Sequence, residues 1–124
     1  MATENLVLAV SLPVAADYST TGQYLFVDVN TSGQAVLVAG QGLNAVGVLQ
    51  DNPSAAGRVG RIAIGGMVKV MAGDTITAAD RITTGADGRA ETAATGDFVL
   101  GTAITGGADG EIITVLFQPQ DISA

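Results

Sequence analysis

Apolar and polar residues alternate in short runs along this chain, and each run ends at a turn-forming segment. Between Tyr24 and Val29, the residues at positions 25, 27 and 29 are apolar and share one face of an extended strand. The polar sequence Asn30-Thr31-Ser32-Gly33 then predicts a turn, and an apolar run returns from Ala35 to Ala39. Together these features predict a β-hairpin.

A strand–turn–strand pattern occurs twice, over residues 46–64 and again over residues 100–117. Each copy has a short apolar run with glycine at its second position, followed by a polar turn that ends in glycine. A strand that opens on a charged residue completes each copy. The repeat predicts a small all-β body with little chemistry on it, which is typical of a protein that binds a partner.

The region after the first copy predicts two separate strands. Val59 is out of phase with the isoleucines that follow it, which predicts a β-bulge near Gly60. The pair Gly65-Gly66 then separates this strand from another over residues 67–71, whose two valines face the core and leave Lys69 on the opposite face.

Turn signals decide the fold class. Residues 77–80 are compatible with one helical turn with Thr77 as its N-cap, and Ala86-Asp87-Gly88-Arg89 predicts a hairpin. Turn signals recur about every ten residues, and no segment shows helical periodicity over more than about two turns. The sequence therefore predicts an all-β protein, a small antiparallel β-barrel or β-tulip-like sandwich with at most one or two short helical turns.

The length of 124 residues predicts one domain. Residues 1–22 are expected to form an N-terminal arm or strand, and residues 23–124 a single β domain. The apolar stretch over residues 6–16 lacks a preceding basic segment and is broken by Pro13, so it differs from a signal peptide and is too short to span a membrane. We therefore expect the protein to be cytosolic when it is made.

The chain contains neither cysteine nor histidine. This removes thiolate nucleophiles, disulfides, cysteine-based metal sites and the commonest general base. Asp74, Asp80, Asp87 and Asp97 do not follow the spacing of a calcium loop, and each is better explained as a turn residue that hydrogen-bonds its own backbone. The glycines spell no phosphate-binding motif. We expect no enzymatic activity, no cofactor and no metal.

The net charge is −7, and the acidic residues are scattered singly. The charge is explained by solubility. The five lysines and arginines do not cluster with aromatic residues, so nucleic-acid binding is disfavoured.

Two sets of residues leave alternatives open. The sequence pattern around Lys69, with Gly-Asp followed by hydrophobic residues, resembles that of biotinyl and lipoyl carrier domains. Those domains present their lysine at a hairpin tip, whereas Lys69 is expected inside a strand. Met67 and Met71, with the face of Tyr24 and Phe26, are compatible with an exposed binding surface and equally with ordinary core. A carbohydrate-binding β module is a third hypothesis, which the scarcity of aromatics disfavours.

Several segments, taken in order and spacing, resemble the capsid cement, or head decoration, proteins of tailed bacteriophages. The resemblance extends over roughly residues 22–117. The segments that carry it are Gly22-Gln23-Tyr24-Leu25-Phe26-Val27, Val46 to Gly57, Gly66-Met67-Val68-Lys69-Val70, Ala72-Gly73-Asp74-Thr75-Ile76, Asp80-Arg81-Ile82-Thr83-Thr84, Asp87-Gly88-Arg89-Ala90 and Val99-Leu100-Gly101-Thr102-Ala103.

The resemblance implies a virion structural protein made in the host cytoplasm, which binds the outside of an expanded phage head as a homotrimer and reinforces the shell of the major capsid protein. It implies no membrane or nucleic-acid partner. In related proteins an N-terminal arm contacts the shell by strand addition, which directs attention to the first residues here. The candidate partner-interface residues are Thr3, Glu4, Asn5, Leu6, Val7, Leu8, Tyr18, Tyr24 and Met67.

Overall fold

A computed structural model describes residues 5–120, with side chains from Leu8 onward, and every regular element in that range is a strand. This confirms the prediction of an all-β fold. The strands are β1 (Asn5–Pro13), β2 (Phe26–Val29), β3 (Ala35–Leu37), β4 (Gly47–Leu49), β5 (Val59–Met71), β6 (Arg81–Thr84), β7 (Ala90–Thr92), β8 (Gly101–Ala103) and β9 (Ile112–Phe117).

The nine strands form one antiparallel sheet around β5. Its order is β3-β2-β4-β5-β9-β8-β6-β7, and β1 pairs with the remaining edge of β5. The sheet curls back on itself at two places, because Val14 forms a parallel bridge with Ala35 and Ala72 forms one with Ala90. The curled sheet is a small barrel-like body, as the sequence predicts.

Two equivalent repeats make up the sheet. The N-terminal repeat, residues 5–64, contains β1 to β4 and the first half of β5; the C-terminal repeat, residues 66–117, contains the second half of β5 and β6 to β9. In the first, β1 pairs with β5, β5 with β4, β4 with β2, and β2 with β3. In the second, β5 pairs with β9, β9 with β8, β8 with β6, and β6 with β7. The repeat seen in the sequence thus extends over the whole sheet.

The main-chain hydrogen bonds repeat as well. The Tyr24 N–H donates to Leu49 O (2.7 Å), and the Ala79 N–H donates to Ala103 O (2.8 Å). Tyr24 and Ala79 are also the two non-glycine residues with positive φ in the described range, at 66° and 79°. Because such a conformation is unfavourable for residues with a side chain, its presence at one position of both repeats shows that they share a turn geometry.

The glycine at the second position of each sequence copy has a steric cause. A Cβ at Gly47 would collide with the carbonyl oxygen of Ala63, and a Cβ at Gly101 would collide with that of Leu116. The backbones of neighbouring strands approach too closely at these points for any other residue.

Each repeat has its own hydrophobic core. Val14, Tyr18, Val27, Ala35, Leu49 and Ile62 form the core of the N-terminal repeat. The core of the C-terminal repeat holds the equivalent residues, such as Ala72, Ile76, Ile82 and Val115, but it also takes in Phe26, Val48 and Ala63 from the N-terminal repeat. The two repeats are therefore packed against each other by apolar contact.

Strand β5 differs from the prediction. The sequence predicts two strands split by Gly65-Gly66 and a bulge near Gly60, whereas β5 is continuous for 13 residues. Its register with β1 is regular at Gly60, which lies opposite Leu12, and the irregularity falls where Leu8 of β1 lies opposite Gly65 of β5. Val59 is simply exposed at the strand end, so no bulge is needed to bring it into phase.

The predicted hairpins are present, but the predicted helical turn is not. Strands β2 and β3 form one hairpin, and β6 and β7 form the other, with Gly88 at φ 83° in its turn. Between Thr77 and Asp80 the chain makes a tight turn in which the Thr77 N–H donates to Asp80 Oδ2 (2.9 Å). The aspartate side chain therefore caps the turn, the reverse of the predicted threonine cap.

Candidate partner-binding surface

A groove of about 550 Å³ lies between the two repeats. The N-terminal repeat contributes residues 19–25 and 37–39 to its wall, and the C-terminal repeat contributes Met71, Asp87, Arg89 and Ile112. Apolar and small polar side chains predominate, with one cation and one carboxylate. Such a lining is typical of a groove that can hold a ligand or a partner segment.

The groove forms where the repeats differ in length. Twelve residues separate Pro13 from Phe26, whereas nine separate Met71 from Arg81. The additional residues are Ser19, Thr20 and Thr21, which line the groove. Hydrogen bonds from Ser19 to Asp17 stabilise this segment and hold the pKa of the Asp17 carboxyl below its ordinary value.

Charged side chains cluster beside the groove on the C-terminal repeat. Arg89 forms ion pairs with Asp87 and Asp109, each at 3.1 Å. The pKa of the nearby Glu91 carboxyl is raised, first by burial and then by the negative charges of neighbouring aspartates. This part of the surface therefore carries more negative than positive charge.

The turn aspartates have structural partners. Asp74, Asp80 and Asp97 accept main-chain hydrogen bonds from Thr75, Thr77 and Ala94 at 2.7 to 3.0 Å. No group of three or more acidic residues capable of holding a metal ion occurs in the described part of the chain. Among residues 5–120 there is also no helix long and apolar enough to cross a membrane.

The candidate interface residues lie in different settings. Thr3 and Glu4 are outside the described residues. Asn5, Leu6 and Val7 belong to β1, where Asn5 is opposite Met67 and Leu6 is opposite Gly66. Leu8 is exposed, Met67 is half-buried in β5, and Tyr24 forms part of the groove wall.

Tyr18 is a core residue. Its side chain is buried in the N-terminal repeat, and its hydroxyl accepts a hydrogen bond from the Leu37 N–H (3.3 Å). The aromatic ring thus stabilises the fold and offers little surface to a partner in the isolated chain.

Lys69 lies in the middle of β5. It is opposite Thr114 of β9, and its carbonyl oxygen accepts a hydrogen bond from Gln50 Nε2 (3.2 Å). A lysine inside a central strand differs from the hairpin-tip lysine of carrier domains, so the structure gives no support to that alternative.

Comparison with known proteins shows a likeness in fold. No family model matches the chain, and no curated protein matches it in sequence. The fold is similar to that of the head fiber gp8.5 N base of bacteriophage phi29. The TM-score is 0.74, and the match covers 94% of this chain and 98% of the phi29 chain. The sequence identity is 16%, so the likeness establishes the fold.

Sequence reasoning missed the residues that create the groove. Ser19 to Thr21 read as a polar loop, and their role emerges only when the two repeats are superposed by their hydrogen bonds. The available signal was the unequal spacing between equivalent strands, which needs the second repeat to be recognised over its full length.

Proposed function

We propose that this chain is a virion structural protein that binds the outer surface of an expanded phage head and stabilises the shell of the major capsid protein. The likeness to the phi29 head fiber base over nearly the whole chain is the observation that supports this proposal best. The resemblance of residues 22–117 to head decoration proteins points the same way. In this proposal the protein is made in the host cytoplasm and acts on the exterior of the virion.

The composition supports binding rather than catalysis. The absence of histidine and cysteine leaves carboxylates, hydroxyls, two tyrosines and five cations for any chemistry. The carboxylates in the turns are engaged by main-chain donors, and the carboxylate that lines the groove, Asp87, is paired with Arg89. We therefore propose that the protein is not an enzyme.

The proposed capsid-facing surface joins the start of the chain to the groove. In the described residues β1 pairs with β5 alone, which leaves its other edge free to accept a strand from the shell. We assign residues 5–8 of β1, and Tyr24 of the groove wall, to this surface. A homotrimer that presents three such surfaces to a repeating lattice needs only modest affinity at each one.

Co-sedimentation with expanded, undecorated heads tests the proposal. We expect saturable binding at a fixed ratio to the major capsid protein, and a higher temperature for head disruption when the protein is bound. Unexpanded heads serve as the control, since they lack the mature lattice. Absence of binding to properly expanded heads would contradict the proposal.

A further inference from the structure

The contact between the two repeats involves a different surface of each. The N-terminal repeat contributes what we call its leading face, formed by Phe26, Val38, Val48, Gln50 and Ala63. The C-terminal repeat contributes what we call its trailing face, formed by Thr84, Gly88, Leu100 and Phe117. All of these residues are buried. The apolar members belong to one hydrophobic cluster.

Specific bonds define this contact. The Phe26 N–H donates to Gly88 O (2.8 Å), and the rings of Phe26 and Phe117 are 6.3 Å apart. The Thr84 hydroxyl donates to Gly40 O (2.7 Å) and accepts from the Leu43 N–H (3.0 Å). The trailing face of the C-terminal repeat is thus covered by both side chains and a loop of its neighbour.

The N-terminal repeat has the equivalent trailing face, which is exposed except at Ile64, the equivalent of Phe117, where the side chain is partly buried against the N-terminal core. Strand pairing and turn hydrogen bonds make Val29, Gly33 and Val46 the equivalents of Thr84, Gly88 and Leu100. Val29 is 42% exposed and Val46 is 39% exposed, although both are large and apolar. Gly33 lies at an exposed turn with open space beside it.

The C-terminal repeat likewise has an uncovered leading face. Arg81, Thr102, Ile104 and Leu116 are the equivalents of Phe26, Val48, Gln50 and Ala63. Ile104 is 44% exposed and Leu116 is 36% exposed, whereas Gln50 and Ala63 are buried. The molecule therefore ends in two unpartnered faces, and the contact between its own repeats shows how such faces fit together.

We propose that the chain binds a second copy of itself head to tail, with the leading face of the C-terminal repeat of one copy on the trailing face of the N-terminal repeat of the next. Within a chain β5 runs continuously through the contact, whereas no strand joins two copies, so only the side-chain and loop contacts of the internal arrangement would be repeated. A head-to-tail contact of this kind is heterologous, so copies close into a ring when the rotation allows it. A ring is the way in which the proposed homotrimer would be held together.

The composition of the free faces indicates a reversible contact. Arg81 and Thr102 stand where the internal contact has Phe26 and Val48. The free leading face thus carries a cation and fewer apolar residues than the internal contact. Interfaces between chains that also exist apart are more polar than the interior of a subunit.

Sedimentation velocity of the free protein at high micromolar concentration tests this inference without any phage head. We expect the wild-type chain to sediment as a closed oligomer, and Val29→Lys and Ile104→Lys each to sediment as monomers. Val59→Lys is the matched control, because Val59 is 61% exposed and lies on neither face. All three positions are exposed, so each variant should fold with the far-ultraviolet circular dichroism spectrum of the wild type.

Mixing the two defective variants distinguishes this geometry from others. The Val29→Lys chain keeps its leading face, and the Ile104→Lys chain keeps its trailing face, so a mixture should form one-to-one dimers and nothing larger. A monomeric wild type, or a mixture that stays monomeric, would overturn the inference. Binding of a monomeric wild type to heads would leave the proposed function standing while refuting the head-to-tail contact.

Discussion

At the residue scale, the molecule depends on a few glycines whose role is steric. Gly101 and Gly47 occupy the same place in the two repeats, each against a carbonyl oxygen of the next strand. Gly65 differs, because a Cβ there would meet no other atom within 4 Å. The chain therefore offers a strand glycine that is required and another that is dispensable.

We expect Gly101→Ala to lower the free energy of unfolding by about 1–3 kcal/mol, since overpacking forces neighbouring strands apart. Gly65→Ala should change it by less than about 0.5 kcal/mol. Urea unfolding followed by circular dichroism measures both. Equal effects at the two positions would show that the close approach at Gly101 is not what requires glycine there.

Glu91 gives a second prediction at this scale, through its raised pKa. When the pKa of a carboxyl is higher in the folded than in the unfolded state, the protein loses stability as the pH rises from the unfolded-state pKa to the folded-state pKa. Glu91→Gln removes this penalty, so the variant should be more stable than the wild type at pH 7. Its advantage should vanish below the ordinary pKa of 4.5. Thermal unfolding of the wild type and the variant at pH 7 and at a pH below 4.5 tests this. The same difference in stability at both pH values would contradict the prediction.

At the scale of elements, β5 is the strand on which both repeats depend. It pairs with β1 on one edge from residue 59 to residue 67, and with β4 and then β9 on the other edge. Strands β3 and β7, by contrast, have one full neighbour each and a single bridge on the other side. Protection of the backbone should differ accordingly.

Native-state hydrogen exchange should show the slowest amides in β5 and faster ones in β3 and β7, because strands covered on both edges open only with the whole structure. Exchange in β5 as fast as in β3 would show that the long strand opens by itself. The comparison is internal to one sample, so solvent conditions affect all strands alike.

The sequence predicts the elements that local residues determine, and it does not predict those that depend on neighbouring strands. The hairpins were predictable because Asn-Thr-Ser-Gly and Asp-Gly impose turns locally. The continuity of β5 was not, since Gly65-Gly66 reads as a break; pairing with β1, and with β9 from Gly66 onward, carries the strand through it although Gly66 has a φ of 89°. The positive φ of Tyr24 and Ala79 was equally hidden, because neither residue type favours it.

At the scale of the whole molecule, the two repeats should behave as one unit. They share β5, and one hydrophobic cluster combines residues of both. The fold was predictable as a class from the turn spacing, whereas the faces that meet between repeats were not, since Phe26 and Arg81 fill the same position with different chemistry.

We expect a single unfolding transition. Both tyrosines, Tyr18 and Tyr24, lie in the N-terminal repeat, so tyrosine fluorescence reports on that repeat, while far-ultraviolet circular dichroism reports on both. Coincident urea transitions by the two probes are the expected result. If the transition seen by circular dichroism lay at a higher urea concentration than the one seen by fluorescence, the C-terminal repeat would remain folded after the N-terminal repeat has unfolded.

The pairing of β5 also fixes where the sheet begins and finishes. Leu6 of β1 and Phe117 of β9 lie opposite the same residue, Gly66, on its two edges. With strands spaced about 4.8 Å apart, these two points are about 10 Å from each other. A short linker would therefore join them, and the chain could be reopened at the exposed turn of residues 54–57 as a circular permutant. A cargo fused before β1 or after β9 would leave the molecule from nearly the same point.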